Sequence, residues 1–222
     1  MFRKEIVALG ATALAVFALV AGAASLAIRA VEHDAKLVAQ DTLPGLVNAG
    51  AAINRINENW FNTSLILNTP ALASRSNLIA QINLNSTEAF WDRYGQSILG
   101  QQDADSFKAM QKSRTEFIAL RERYFTLIGA ANLPEAKRLY ESQLKPAFTK
   151  YREDAVGLFM FNANVGQDRA DRIIHFSKWT PFALAGFSVL VLLIGVFVGF
   201  KASLGAFSGA WNEHEQKPLR RP

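Results

Sequence analysis

Residues 43–68 read LPGLVNAGAAINRINENWFNTSLILN, and their spacing decides the fold. Leu46, Ala49, Ile53, Ile56, Trp60, Thr63 and Leu67 recur at alternating steps of three and four. Asn48, Asn54, Arg55, Asn57, Glu58 and Asn59 fill the positions between and make the opposite face polar. A 3.5-residue repeat buries a narrow seam, as in bundles and coiled coils. The rhythm returns three times. Met110, Ser113, Phe117, Leu120, Tyr124, Leu127 and Ala131 repeat it in 104–131. Leu84, Thr87, Trp91, Tyr94 and Ile98 keep it in 72–99. Leu144, Ala147, Tyr151, Leu158, Phe161 and Val165 carry it from 134 onward, interrupted by Asp154. Sustained two-residue alternation is absent, so no strand is predicted.

The breaks fall between these segments. Asn68-Thr69-Pro70 closes the first, because proline cannot continue a helix and forces its predecessor out of the helical region. Gly100 separates the second from the third, with Asp103 as the expected N-cap. Gly129 to Pro134 separates the third from the fourth, and Pro134 suits a first helical turn. Three short breaks among four helices predict an up-down-up-down bundle. Pro44 predicts a kink ahead of the first helix. Pro146 predicts either a bend in the fourth or its true start.

Half of the 222 residues are hydrophobic and 19% are charged, and the surplus is concentrated. Residues 6–28 and 179–200 carry no charge, and each run exceeds the roughly 20 residues that cross a bilayer as a helix. The expected organisation is a cytoplasmic N-terminus (1–5), a first span (6–28), an extracytoplasmic bundle (29–178), a second span (179–200) and a short cytoplasmic tail (201–222). Arg3 and Lys4 precede the first span; Lys201, Lys217, Arg220 and Arg221 follow the second, so both ends are expected inside the cytoplasmic membrane. A cleaved signal sequence competes for the first run. Its 23 residues are long for a signal core of about 7–15.

Within the first span Ala8, Ala11, Ala15, Ala18, Gly22 and Ser25 form a small-residue stripe, and the second offers Gly195 and Gly199. Such patterns let helix backbones approach closely. Beyond the second span, Leu204, Phe207 and Trp211 share one helical face and suggest a short interfacial helix or a frayed span end.

Catalytic signatures are missing: no Gly-rich phosphate loop, no HExxH, no GxSxG. Zero cysteines removes disulfides and thiolate chemistry. The sequence therefore predicts a non-enzyme with no cofactor. A charge of +5 without a dense basic stripe argues against nucleic acid. Acidic pairs such as Asp103/Asp105 are expected to face water or cap helices. Arg55, Asn54, Asn57 and Asn59 beside Trp60 are the densest polar group and the candidate ligand site, where an arginine would hold a carboxylate; a solvated helix face is the alternative. His33 and His175, each a few residues from a span, with Glu32, Asp34 and Asp171 nearby, are a candidate metal or pH-responsive pair.

Asp41-Thr42-Leu43-Pro44 after a span, Ala130-Ala131-Asn132-Leu133-Pro134-Glu135-Ala136, and Leu144-Lys145-Pro146 running on to Asn162 together resemble the four-helix-bundle sensor domain of methyl-accepting chemotaxis proteins. The resemblance covers about residues 1–200. It implies a periplasmic domain that detects small molecules, or a binding protein carrying one, and works as a dimer. Such receptors continue into a linker (HAMP) domain and a signalling coiled coil, whereas 22 residues follow the second span here. The expectation is a sensor subunit acting through a partner, a full-length receptor or another membrane signalling protein, that carries the output domain. The alternative is a structural or assembly protein whose bundle is a dimerising periplasmic scaffold.

Overall fold

The computed structural model describes residues 2–215, with side chains for 10–11, 13–197 and 199–201. Side chains of Arg3, Lys4, Ala8, Leu204, Phe207 and Trp211, and all of Lys217, Arg220 and Arg221, lie outside what is described. Every regular element among the described residues is helical. The helices are α1 (Phe2–Leu37), α2 (Leu43–Ile66), α3 (Leu72–Leu84), α4 (Glu88–Ser97), α5 (Gln101–Gly129), α6 (Leu133–Leu139) and α7 (Lys145–Glu215). One π turn, Val38–Thr42, joins α1 to α2, and a second, Tyr140–Leu144, joins α6 to α7. Asp34–Asp171 form one compact unit; the residues up to His33 and those from Arg172 form another.

Both π turns precede a proline, and the prolines explain them. Pro44 and Pro146 are each the second residue of the α segment that follows. A prolyl nitrogen has no hydrogen for the carbonyl four residues back, so the ladder slips by one. Leu43 N–H accordingly donates to Val38 O, and Lys145 N–H to Tyr140 O, five residues away. The kink expected at Pro44 is thus a π turn. Pro146 marks the restart of a helix that began at Leu133.

The Asp34–Asp171 unit is the four-helix bundle. Successive helices run in opposite directions. On the first and last helices Asp41 meets Arg169, Gly45 meets Asn162 and Trp60 meets Phe148, one number rising as the other falls. The second and last helices run parallel, since Trp91 meets Tyr151 and Tyr94 meets Asn162. At the α5–α6 turn, Ala131 takes a left-handed φ of 56°. Asn132 N–H then caps Leu127 O, and the Asn132 side chain caps Glu135 N–H.

Three sequence expectations need correction. The second helix is not continuous: it stops at Leu84 and restarts at Glu88, and Leu84 is 87% exposed. Asn85 leaves the helical region with ψ 47°, and Ser86 Oγ accepts from Glu88 N–H. The seam of α2 is rotated by about one residue, through Gly45, Ala49, Ala52, Ile56, Asn59, Thr63 and Ile66, so that Asn48 and Asn59 are buried. Asp103 does not face water and is not the N-cap. Gly100 holds that position and Asp103 is 4% exposed, because it accepts the Tyr94 hydroxyl at 2.6 Å.

The core is strongly aromatic. Trp60 is stacked between Tyr140 and Phe148 with centroids 5.3 and 4.0 Å away. Trp91, Tyr94 and Phe107 form a second group, and Phe117, Phe148 and Tyr151 bridge the two. Burying rings of this size supplies much of the apolar burial that offsets chain entropy.

In the other unit α1 and α7 each show one half-buried stripe: Ala13, Val16, Val20, Ala24, Ala27 and Val31, and Thr180, Phe187, Val191 and Ile194. Large apolar side chains such as Leu14, Phe17, Leu192 and Phe197 are exposed. Ala13–Ile66 and Leu133–Lys201 each hold an 18-residue window, of mean hydropathy 2.1 and 2.6, that is apolar enough to cross a membrane.

Candidate functional site

The polar cluster predicted on α2 is engaged within the chain. Arg55 Nη1 donates to Asn85 Oδ1 and lies 3.6 Å from Glu58 Oε2. Asn59 Nδ2 donates to the Asn85 carbonyl at 2.8 Å, and Asn85 Nδ2 donates to Asn59 Oδ1 and Glu58 Oε2. These side chains hold the break between α3 and α4. Asn57 Oδ1 accepts from Arg152 Nε at 3.1 Å, Asn54 is exposed, and Trp60 fills the aromatic stack. The five residues do not converge on one cavity.

A different set does converge, one layer inward from that break. A cleft of about 20 Å³ is lined by Ile56, Asn59, Thr87, Phe117, Ile118, Arg121 and Tyr151. That is room for one water-sized polar group. Arg121 holds its guanidinium over Phe125 at 5.6 Å and near Phe117 at 6.0 Å. Its Nη2 reaches Glu122, but its Nε is buried with no acceptor. Arg114, two turns earlier on α5, repeats this: Nη1 donates to Gln111 and the buried Nε has no acceptor. A buried donor without a partner costs about 1–3 kcal/mol. Arg114 and Arg121, a heptad apart, present these two donors on one face of α5.

Tyr151 faces both arginines. Its hydroxyl accepts from Trp91 Nε1 at 2.8 Å and is hydrogen-bonded by Thr87. Burial pushes its phenol above the ordinary range, while those bonds and the Arg114 and Arg121 charges pull the other way. Tyr151 therefore stays a neutral donor or acceptor beside two fixed positive charges. A cleft of this size can take one oxygen of a carboxylate beside the Arg121 guanidinium, with the Arg114 charge two turns away. These residues were not singled out from the sequence. The signal available was two arginines a heptad apart, each directly following a seam residue, Ser113 and Leu120.

A second buried polar cluster lies at the end of the bundle where residues 34 and 171 sit. Arg169 Nη1 donates to Asp41 Oδ2 at 3.0 Å, Thr42 Oγ1 at 2.6 Å and the Leu37 carbonyl at 3.4 Å. The π turn places Asp41 and Thr42 inward here. Asn162 Nδ2 donates to Tyr94 OH at 2.7 Å, and Tyr94 donates on to Asp103. Glycine makes room for it: a Cβ on Gly166 would lie 2.7 Å from Thr42 Cγ2.

His33 and His175 are both exposed, and His175 lies 6.2 Å from Trp179. No group of three or more His, Asp or Glu among the described residues could hold a metal ion. Ala11, Ala15, Ala18 and Gly22 are exposed, as are Gly195 and Gly199, and a Cβ on any of the three glycines would meet nothing within 4 Å. The small residues are not the contact between α1 and α7 of one chain.

The family of four helix bundle sensory modules for signal transduction matches residues 4–174. The chain belongs to this family. The match spans α1, the whole bundle and the start of α7, so the cleft and the Asp41 cluster both lie inside the sensory module. No curated protein matches the chain.

Proposed function

We propose that this sensory module is held in the cytoplasmic membrane by α1 and α7, with the bundle outside, and detects the carboxylate of a small molecule at the Arg121–Tyr151 cleft, with Arg114 two turns away on the same face of α5. The observation that carries the ligand reading is the pair of buried Nε donors without acceptors on one face of α5. The break between α3 and α4, fastened by Arg55, Asn59 and Asn85, sits over the cleft and gives the ligand its way in. Binding would draw α5 and the last helix together through Tyr151, and α7 continues from there without interruption. That helix is the route of the signal to a signalling partner, such as a full-length receptor. The exposed small-residue stripe on α1 supports a homodimer through the spans, since close backbone approach favours helix association in lipid. Exposed apolar side chains on both long helices and Lys201 at the end of the second apolar run support the placement.

Two measurements test this. The full chain in nanodiscs is melted with a panel of small mono-, di- and tricarboxylates. A ligand at 100 times its Kd adds about 2.7 kcal/mol. The wild type should be stabilised by at least one member, Arg121→Ala should lose the shift, and a panel without effect favours the scaffold reading. For the membrane placement, Ala119→Cys is the sole thiol of the variant. An impermeant maleimide should label it in intact cells with an opened outer barrier; labelling only after lysis would reverse the topology.

A further inference from the structure

The cluster around Asp41 is independent of the carboxylate cleft and has a charge imbalance of its own. Asp41 and Asp103 are buried, 6% and 4% exposed, on different helices. Arg169 is bonded to Asp41 Oδ2, whereas the side-chain partner of Asp103 is the Tyr94 hydroxyl. A buried Asp103 carboxylate within reach of the Asp41 charge is thus left without the guanidinium that Asp41 has. The hydrogen bonds run one way: Asn162 donates to Tyr94, whose own proton therefore goes to Asp103 Oδ1. Meanwhile Asp41 Oδ1 is buried and has no donor. Buried charge in excess is expensive, and a group so placed tends to neutralise.

We infer that Asp103 is a proton-binding site of the folded protein, balanced by the Arg169-paired Asp41 beside it. The groups that act on Asp103 are Tyr94 from α4, Asp41 from the π turn and Asn162 from α7, while Thr42 and Arg169 are bonded to each other beside Asp41. On α5 itself, Asp105 is exposed and bonded to Gln101. Asp34, buried a heptad before Asp41, has an interaction of its own. Burial raises the Asp103 carboxyl above the usual range; the Tyr94 bond opposes this, the Asp41 charge adds to it and Asn162 opposes it. A carboxyl raised in the folded state stabilises the fold as pH falls through its titration. Acidification outside the cell would thus tighten the end of the bundle from which the apolar helices leave.

The test is pH-difference infrared spectroscopy on the full chain in nanodiscs, without any carboxylate ligand. The wild type should show a carboxylic C=O band titrating above the ordinary aspartate range. Asp103→Asn should abolish it. Tyr94→Phe removes a bond that favours the ionised form and should move the band to higher pH, whereas Asp41→Asn should move it lower. The inference is overturned if no carboxyl titrates above the ordinary range. It is equally overturned if Asp103→Asn leaves the band, or if Tyr94→Phe and Asp41→Asn both leave it in place. None of these readouts depends on the cleft, so their failure leaves the carboxylate reading standing.

Discussion

Gly45 of the first helix lies against the side-chain amide of Asn162 on the last, so close that a Cβ on Gly45 would sit 2.6 Å from Asn162 Oδ1. Asn162 cannot step aside, because its Nδ2 is committed to Tyr94 OH and the Leu158 carbonyl. Alanine gains about 1 kcal/mol over glycine in helix propensity, but overpacking costs about 1–3 kcal/mol. Gly45→Ala should therefore destabilise the bundle, read as a lower Tm of the full chain in detergent. An unchanged or higher Tm would mean that the two helices are farther apart.

Trp60, half-buried, is stacked between Tyr140 and Phe148. Trp60→Ala should cost about 3 kcal/mol or more, the range for emptying a large aromatic site. Trp60→Phe should recover much of it. Denaturant unfolding of the two variants checks the order.

Arg55 and Asn85 fasten the break in the second helix and do not line the cleft. Asn85→Ala leaves Arg55 and Asn59 without their partner and should cost about 1–3 kcal/mol. Arg55→Ala should be milder, since that side chain is half exposed. Neither should abolish stabilisation by a carboxylate, whereas Arg114→Ala and Arg121→Ala should. If Arg55→Ala alone removes the ligand shift, the site lies on α2.

Alkaline pH should unfold the bundle through its phenols. Burial raises Tyr94, Tyr124, Tyr140 and Tyr151 above their ordinary value near 10. The unfolded chain ionises first, so this stability is intact below about pH 10 and lost as pH rises beyond it. Tyr140, the least buried of the four, contributes least. A spectrophotometric titration should show phenolate appearing with the loss of helix, not before it.

The helices, their order and their breaks were legible because seam residues repeat along the chain and prolines punctuate it. Trp91, Tyr94 and Tyr124 were placed on the correct faces by spacing alone, whereas the position given to Trp60 is held by Asn59. Most of what spacing missed has one physical cause. Periodicity assigns polar side chains to the outside, yet Asn59, Asp103 and Asn162 are inside because each has a partner on another helix. Asn85 with Arg55 and Tyr94 with Asn162 are pairs separated by 30 and 68 residues, and no local pattern announces them. Arg114 and Arg121 were overlooked because their bonded partners, Gln111 and Glu122, lie on the same helix and read as ordinary surface pairs. The π turns were half legible, since the prolines were seen but not the slipped ladder ahead of them.

That slip has a genetic reading. A π turn is an α-helix that has taken in one extra residue without turning the flanking faces out of register. Removing one residue from Tyr140–Leu144 would take up the extra residue and leave Leu139 and Phe148 on their present faces, with the Pro146 nitrogen still unable to bond. The same deletion a few turns on, within 150–156, would swing every later side chain by about 100° around the axis. This segment is where the last helix tolerates a change in length, and the carbonyl that Pro146 cannot serve marks the spot.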